Sequence, residues 1–229
     1  MFEKFRITKF QSGLEKEISP EELDQIERSA EQIIKKEFEI GFGQSAFVYE
    51  DKENNLAHKV IVRDALNDVH EEAKFLSKLT ELSNEVIVPK PAFSFDAKIP
   101  QKNKPPLYRK ILSMERIDGP DFQEILTGKK ELPDTFNFDS FFAALEKFFD
   151  AMHSERIGIY HRDVADRNIM IDNKTGRPVI IDFGNSVYRS DYLTDEIRED
   201  KQYENGPNDL EKLMELKNSV KHFLTKNKK

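Results

Sequence analysis

Apolar residues recur along this chain with two periods, and each period predicts a different kind of element. The strongest stripe is Phe141, Phe142, Leu145, Phe148, Phe149 and Met152, which fits the buried face of a core helix started by Asp139. A second helix is expected from about Ala65 to Leu79, with Leu66, Val69, Ala73, Leu76 and Leu79 on one face. At the helical period Glu72 falls near the edge of that face, and Glu71 points almost opposite. Ser19, Pro20 and Glu22 form a helix start ahead of Leu23, Ile26, Ala30, Ile33 and Ile34, so a scaffold helix is expected over about 20–36. The last helix is expected from Asn208 to about Leu224, carrying Leu210, Leu213, Met214, Val220 and Phe223, with the basic residues after it frayed.

Strand patterns fill the stretch between the first two helices and the one after the second. Residues 38–50 read as strands on both sides of Gly41 and Gly43, a polar turn follows at 51–55, and L-A-H-K-V-I-V returns as a strand. V-I-V-P-K-P-A-F-S-F and L-Y-R-K-I-L-S-M-E-R-I complete an expected antiparallel sheet, with a Pro- and Lys-rich loop at 97–106 between them. Later, two short apolar strands flank the turn N-K-T-G-R-P, the second ending at Asp182. Residues 1–18 carry no firm pattern and read as a possible strand or an adaptable arm, and 120–133 read as a short helical or irregular crossover.

Composition narrows the class. The 229 residues suffice for one domain or two small lobes, and 38% hydrophobic with 34% charged residues describe a soluble globular chain. A net charge of -7 argues against a general nucleic-acid or anionic-membrane binder, since such binding rests on excess positive charge. With no Cys there is no disulfide, no thiol nucleophile and no Cys-ligated metal. No run has signal-peptide or membrane-spanning character, so a cytoplasmic protein is expected.

The chemistry concentrates between Tyr160 and Ser186. There Y-H-R-D-V-A-D-R-N precedes the first short strand and D-F-G-N-S follows the second. Two strands joined by a tight turn bring their outer ends together, so Asp163, Asn168 and Asp182 are expected to converge. Oxygen-bearing side chains in one small volume suit a hard divalent cation, with one carboxylate left to orient a hydroxyl. That combination serves phosphoryl transfer.

With His161-Arg162-Asp163, Asn168 and Asp182-Phe183-Gly184 in this order after a Gly-rich loop and a strand Lys, the chain resembles the protein-kinase-like superfamily. The resemblance implies an α+β, bilobal protein-kinase-like fold: an N-lobe antiparallel sheet with one main helix, then a reduced, mostly helical C-lobe. Residues 1–37 would be an extension, 38–117 the N-lobe and 118–229 a minimal C-lobe. The implied cofactors are ATP and Mg²⁺. Gly41, Gly43 and Ala46, which stands where the pattern expects a third Gly, would cover the phosphates, followed by Val48. Lys59, in an Ala57-x-Lys context, would bind the α- and β-phosphates and pair with Glu72. Met114 would guard the adenine pocket, and the main chain of Glu115 and Ile117 would hydrogen-bond the base. Asp163 would orient the acceptor hydroxyl, and Asn168 and Asp182 would hold Mg²⁺.

Departures from the family pattern carry information too. The Lys that Ser/Thr kinases place two residues after the catalytic Asp is replaced by Ala165, and Arg167 stands where tyrosine kinases put a cation that can reach the γ-phosphate. No Ala-Pro-Glu follows Gly184, and the later substrate-platform helices are missing, as in small atypical kinases of the KEOPS-complex type and bacterial effector kinases. The resemblance therefore implies a protein Ser/Thr kinase whose substrate is presented by a partner protein. A small-molecule kinase, a tyrosine kinase and a scaffolding pseudokinase remain as alternatives. His153 and His161 read as supports. Asp209 fits equally a family Asp bonded to the catalytic-loop backbone and a plain helix-start acid. Arg162 is read as a phosphate partner or a carbonyl contact, and Tyr188, Ser190, Tyr192 and Thr194 as candidate autophosphorylation sites.

Overall fold

The computed structural model describes residues 7–11, 14–16, 19, 39–42, 46–61, 69–101, 104–192 and 208–227. The helix expected over 20–36, Gly43 and Thr194 lie outside them. The chain divides into two compact units, one of Met1–Lys78 with Pro89–Arg116, the other of Leu79–Val88 with Ile117–Lys229.

Seven antiparallel strands make the sheet of the first unit. In chain order they are β1 (Ile7–Gln11), β2 (Leu14–Lys16), β3 (Glu39–Phe42), β4 (Ala46–Asp51), β5 (Leu56–Ile61), β6 (Pro91–Gln101) and β7 (Lys104–Glu115), arranged β2-β1-β6-β7-β5-β4-β3. The patternless N-terminal stretch thus supplies two strands, with β1 joined to the edge of β6. Most of the loop expected at 97–106 is strand as well, with Ala97, Lys98 and Ile99 opposite Arg109, Tyr108 and Leu107. Pro100 misled the reading, because the register shifts between Ile99 and Gln101, and a bulge is where a residue without an N–H is tolerated. Successive side chains of β5 point to opposite faces and Ala57 through Val60 are all buried, so both faces of this strand are covered. α1 (Val69–Leu79) buries Val69, Glu72, Ala73, Leu76 and Leu79 along one stripe.

Val86–Val88 was expected to be a strand of this sheet, and the structure places it in the second unit. Ile87 makes a single parallel bridge to Val179, donating its N–H to the Pro178 carbonyl at 2.8 Å and accepting from Ile180 at 3.0 Å. Pro89 and Pro91 follow it and carry no N–H, so the ladder cannot continue beyond Val88.

The second unit is built on α3 (Phe138–His153), which follows α2 (Phe122–Leu126). Asn137, not Asp139, caps α3, accepting the Ser140 N–H at 3.1 Å. Asp139 lies inside the first turn, where its charge complements the helix dipole. Phe141, Phe142, Leu145, Phe148, Phe149 and Met152 are all buried, with Phe122 edge-on to Phe141 at 5.4 Å. Each such side chain contributes about 1.5–3 kcal/mol by leaving water. Asp121 closes a capping box on α2 with Glu124. Two small ribbons complete the frame: β8 (Ile159–Tyr160) pairs with β11 (Val187–Tyr188), and β9 (Ile169–Ile171) with β10 (Pro178–Ile180). α4 (Arg189–Tyr192) follows β11 directly.

α5 runs Asp209–Asn227, past the expected end near Leu224. Its buried stripe is Leu213, Leu216 and Val220, whereas Leu210 and Met214 are 42% and 49% exposed. Five apolar residues spread round a helix do not share one face, and the neighbour decides which of them is covered. No helix among the described residues is long and apolar enough to cross a membrane.

The turn between β9 and β10 depends on Gly176. Its φ is +68°, its N–H donates to the Asp172 carbonyl at 2.8 Å, and an added Cβ would collide with the Thr135 carbonyl. Gly176→Ala is expected to destabilise the protein by about 2–4 kcal/mol, the cost of a left-handed side chain plus overpacking. A lower urea midpoint at unchanged slope would show it, and a wild-type midpoint would refute it.

Candidate active site

Lys59 stands on β5 opposite Val48 of β4 and Leu112 of β7. Its Nζ lies 2.8 Å from both carboxylate oxygens of Glu72, and both side chains are buried. A buried ion pair is tolerated when each charge has its partner, and removing one leaves the other stranded at high cost. Glu71 instead pairs with Lys74 on the exposed side of α1. Glu72 reaches Lys59 because it lies on the turn of α1 that carries Val69, Ala73 and Leu76 inward.

The other residues expected around a nucleotide in this unit are placed as follows. Gly41 pairs with Val48 through the backbone of β3 and β4, and Ala46 is buried at the start of β4. Ala57 and Met114 are register partners, and both are buried. The Glu115 N–H already donates to the Lys90 carbonyl at 2.8 Å, so a contact to a base from this residue falls to its carbonyl oxygen. Ile117 is half-buried in the second unit. A buried polar chain that the sequence did not suggest runs from Ser113 through His58 to Asp51, at 2.7 and 3.5 Å. Burial pushes the His58 imidazole below its ordinary value, with Asp51 opposing in part.

In the second unit the loop after β8 is held from beneath. The Asp209 carboxylate accepts the N–H of His161 at 2.7 Å, the N–H of Arg162 at 2.8 Å and Nε2–H of His153 at 2.9 Å. These bonds settle its role as a loop anchor, which the sequence left open against a plain helix-start acid. Burial alone would raise the Asp209 carboxyl. The His153 bond and the N–H groups of His161 and Arg162 help to outweigh that effect and hold it below the ordinary range. Arg162 adopts φ +65°, a left-handed backbone that a non-Gly residue takes only where its surroundings fix it.

His161 is fully buried against Phe183, ring centroids 4.7 Å apart. Its Nε2–H donates to the Ile181 carbonyl at 3.0 Å and its Nδ1 accepts the Asp163 N–H at 3.2 Å. One ring thereby joins the Asp163 loop to the residue before Asp182.

Asp163, Asn168 and Asp182 are linked through short bonds. The Asn168 carboxamide nitrogen donates to the Asp163 carbonyl at 2.8 Å, which turns its oxygen the other way. The Asn168 carbonyl accepts the Ile181 N–H at 3.1 Å, next to Asp182. Asp182 has φ +61° and ψ +68°, and its carboxylate accepts the Gly184 N–H at 3.4 Å. Among the described residues no group of three or more His, Cys, Asp or Glu is spaced to hold a metal by itself. One carboxylate and one amide oxygen fit a Mg²⁺ that takes its remaining ligands from water and phosphates.

Arg167 is placed on Asp163, its Nη2 at 2.7 and 2.9 Å from the two carboxylate oxygens. Its side chain is half exposed. Among the described residues its Nε and Nη1 make no hydrogen bond, so part of the guanidinium remains available to an incoming anion. Sequence reasoning passed over Asn185, whose Nδ2 lies 3.5 Å from Asp163 Oδ2. A lone Asn after Asp-Phe-Gly carries no sequence signal of its own.

Comparison with known proteins agrees with this geometry. The chain is 22% identical over 199 residues to the serine/threonine-protein kinase pim-2 of Danio rerio, covering 79% of this chain and 63% of that protein. It is 30% identical over 149 residues to the casein kinase II subunit alpha' of Saccharomyces cerevisiae, covering 65% of this chain and 39% of that one. The chain thus spans less than two thirds of the length of either relative. The family model described as protein kinase domain matches residues 34–204, most of the chain. The chain belongs to the protein kinase family of phosphotransferases.

Proposed function

We propose that this protein is an ATP- and Mg²⁺-dependent protein kinase that phosphorylates Ser or Thr hydroxyls of a protein presented by a partner, in the cytoplasm. The observation that carries the reading is the bonded set in which the Asn168 carboxamide and Ile181 backbone hold Asp163 and Asp182 together. The acceptor class follows the relative named as a serine/threonine-protein kinase.

Each residue then has a role. Lys59, held by Glu72, binds the α- and β-phosphates, and Gly41 and Gly43 are assigned to cover them. Main-chain atoms of Glu115 and Ile117 meet the adenine beside Met114. Asn168 and Asp182 hold Mg²⁺, which when bound neutralises phosphate charge. Asp163 aligns the acceptor hydroxyl and takes its proton. The acceptor oxygen forms the new bond to the γ-phosphorus, the bond from that phosphorus to the bridging oxygen breaks, and ADP leaves with the electron pair.

Incubation with γ-labelled ATP and Mg²⁺ followed by phosphoamino-acid analysis tests this directly. Phosphoserine or phosphothreonine is the expected product. Phosphotyrosine, a labelled small molecule or no label would each overturn it.

Lys59→Arg keeps the charge but replaces a compact ammonium by a planar fork that does not fit the Glu72 and phosphate geometry. Turnover is expected to fall by about 10²-fold or more. Turnover within threefold of wild type would remove Lys59 from the phosphate site.

A further inference from the structure

The carboxamide of Asn185 sits at the end of the 3₁₀ turn Phe183–Asn185 that opens at Asp182. The backbone there is fixed on both sides: the Ser186 N–H donates to the Phe183 carbonyl at 3.0 Å, and Val187 and Tyr188 then pair with Tyr160 and Ile159. Those partners lead straight into His161, Arg162 and Asp163. The ribbon therefore brings Asn185 to Asp163 from a direction different from that of Arg167. Arg167 takes both carboxylate oxygens from within the same loop, and Asn185 approaches Oδ2 at 3.5 Å from the turn that carries Asp182. Among the described residues Asn185 is the side chain after Asp182 that contacts the Asp163 carboxylate. A carboxamide is suited to this place, because a neutral donor orients a carboxylate while adding no charge that would weaken it as a base.

We propose that Asn185 is a positioning residue for phosphoryl transfer: it sets the Asp163 carboxylate in register with the metal-holding Asp182 turn. This rests on the kinase reading above. In the transfer step the acceptor proton passes to Asp163, and Asn185 itself neither gains nor loses a proton.

Three measurements test it on the full-length chain. Asn185→Ala is expected to lower kcat about tenfold while KM for Mg-ATP stays within about twofold, as for a misoriented group that does not bind nucleotide. Asn185→Asp puts a second carboxylate beside Asp163 and is expected to move the acid limb of the kcat profile upward by about one pH unit. In the ¹⁵N spectrum of the unliganded protein, the Asn185 side-chain amide resonance should move between the wild type and Asp163→Asn, as for a donor in contact with that side chain. A kcat within twofold in Asn185→Ala, an unmoved acid limb in Asn185→Asp, or an amide resonance indifferent to Asp163 would each overturn the proposal. If the wild type transfers phosphate to nothing, the kinase reading falls, and the amide resonance in Asp163→Asn still decides whether Asn185 contacts Asp163.

Discussion

Asp163→Asn is expected to cut phosphoryl transfer by about 10²–10⁴-fold, the range lost with a positioned general base. Asn matches Asp in shape, so the main-chain carbonyl that accepts from Asn168 at 2.8 Å stays in place. What is lost is the anionic oxygen that the proposed reaction makes the proton acceptor, together with the charge that accepts two hydrogen bonds from Arg167 Nη2. That pair is half exposed, and exposed pairs contribute about 0–1 kcal/mol, so the fold should tolerate its loss. In the proposed function, nucleotide binding falls to other residues. Mg-ATP should therefore still raise the melting temperature of the variant while label transfer collapses. Turnover within tenfold of wild type would take the base role from Asp163.

Asp209→Ala carries the largest expected effect on stability, about 3–5 kcal/mol, because it strands buried groups. The residue is fully buried, and its removal orphans the N–H of His161, the N–H of Arg162 and the His153 ring. Arg162 would also lose the bond that steadies its left-handed backbone. With no Trp in the chain, unfolding is best followed by circular dichroism in urea. A loss below about 1 kcal/mol would show that the anchor is replaceable.

The same carboxylate predicts a pH dependence. Its folded pKa lies below the ordinary 3.8, so the unfolded chain binds the proton more readily than the folded one. Its stabilising contribution is full above that value and is lost as pH falls through the folded pKa. Acid unfolding of the wild type should therefore steepen below about pH 4, and Asp209→Ala should lack that component.

Some of this was readable from residues alone. Phe141 to Met152 declare their helix because six apolar side chains at the helical period have one way to leave water together. Helical spacing likewise separates Glu72 from Glu71, since a rotation of 100° per residue is a local property. Elsewhere local signals misled. Pro100 reads as a loop and lies at a bulge in a long hairpin, and Val86–Val88 reads as a strand of the main sheet but bridges to Val179. In both places the partner decides: for Pro100 it is the next strand of the hairpin, and for Ile87 it is Val179, far along the chain.

The order of His161-Arg162-Asp163, Asn168 and Asp182-Phe183-Gly184 after a Gly-rich loop and a strand Lys was enough to indicate the family by resemblance, because several separate motifs stand in the family's succession. The sequence also determined which faces of α1 and α3 are apolar, through a periodicity that needs no partner. Tertiary structure alone decided that Asp209 grips the catalytic loop from 46 positions after Asp163, that Arg167 lies on Asp163, and that Leu210 and Met214 face outward. Hydrogen bonds and burial depend on where a second segment comes to rest, and no local pattern encodes the direction from which it arrives.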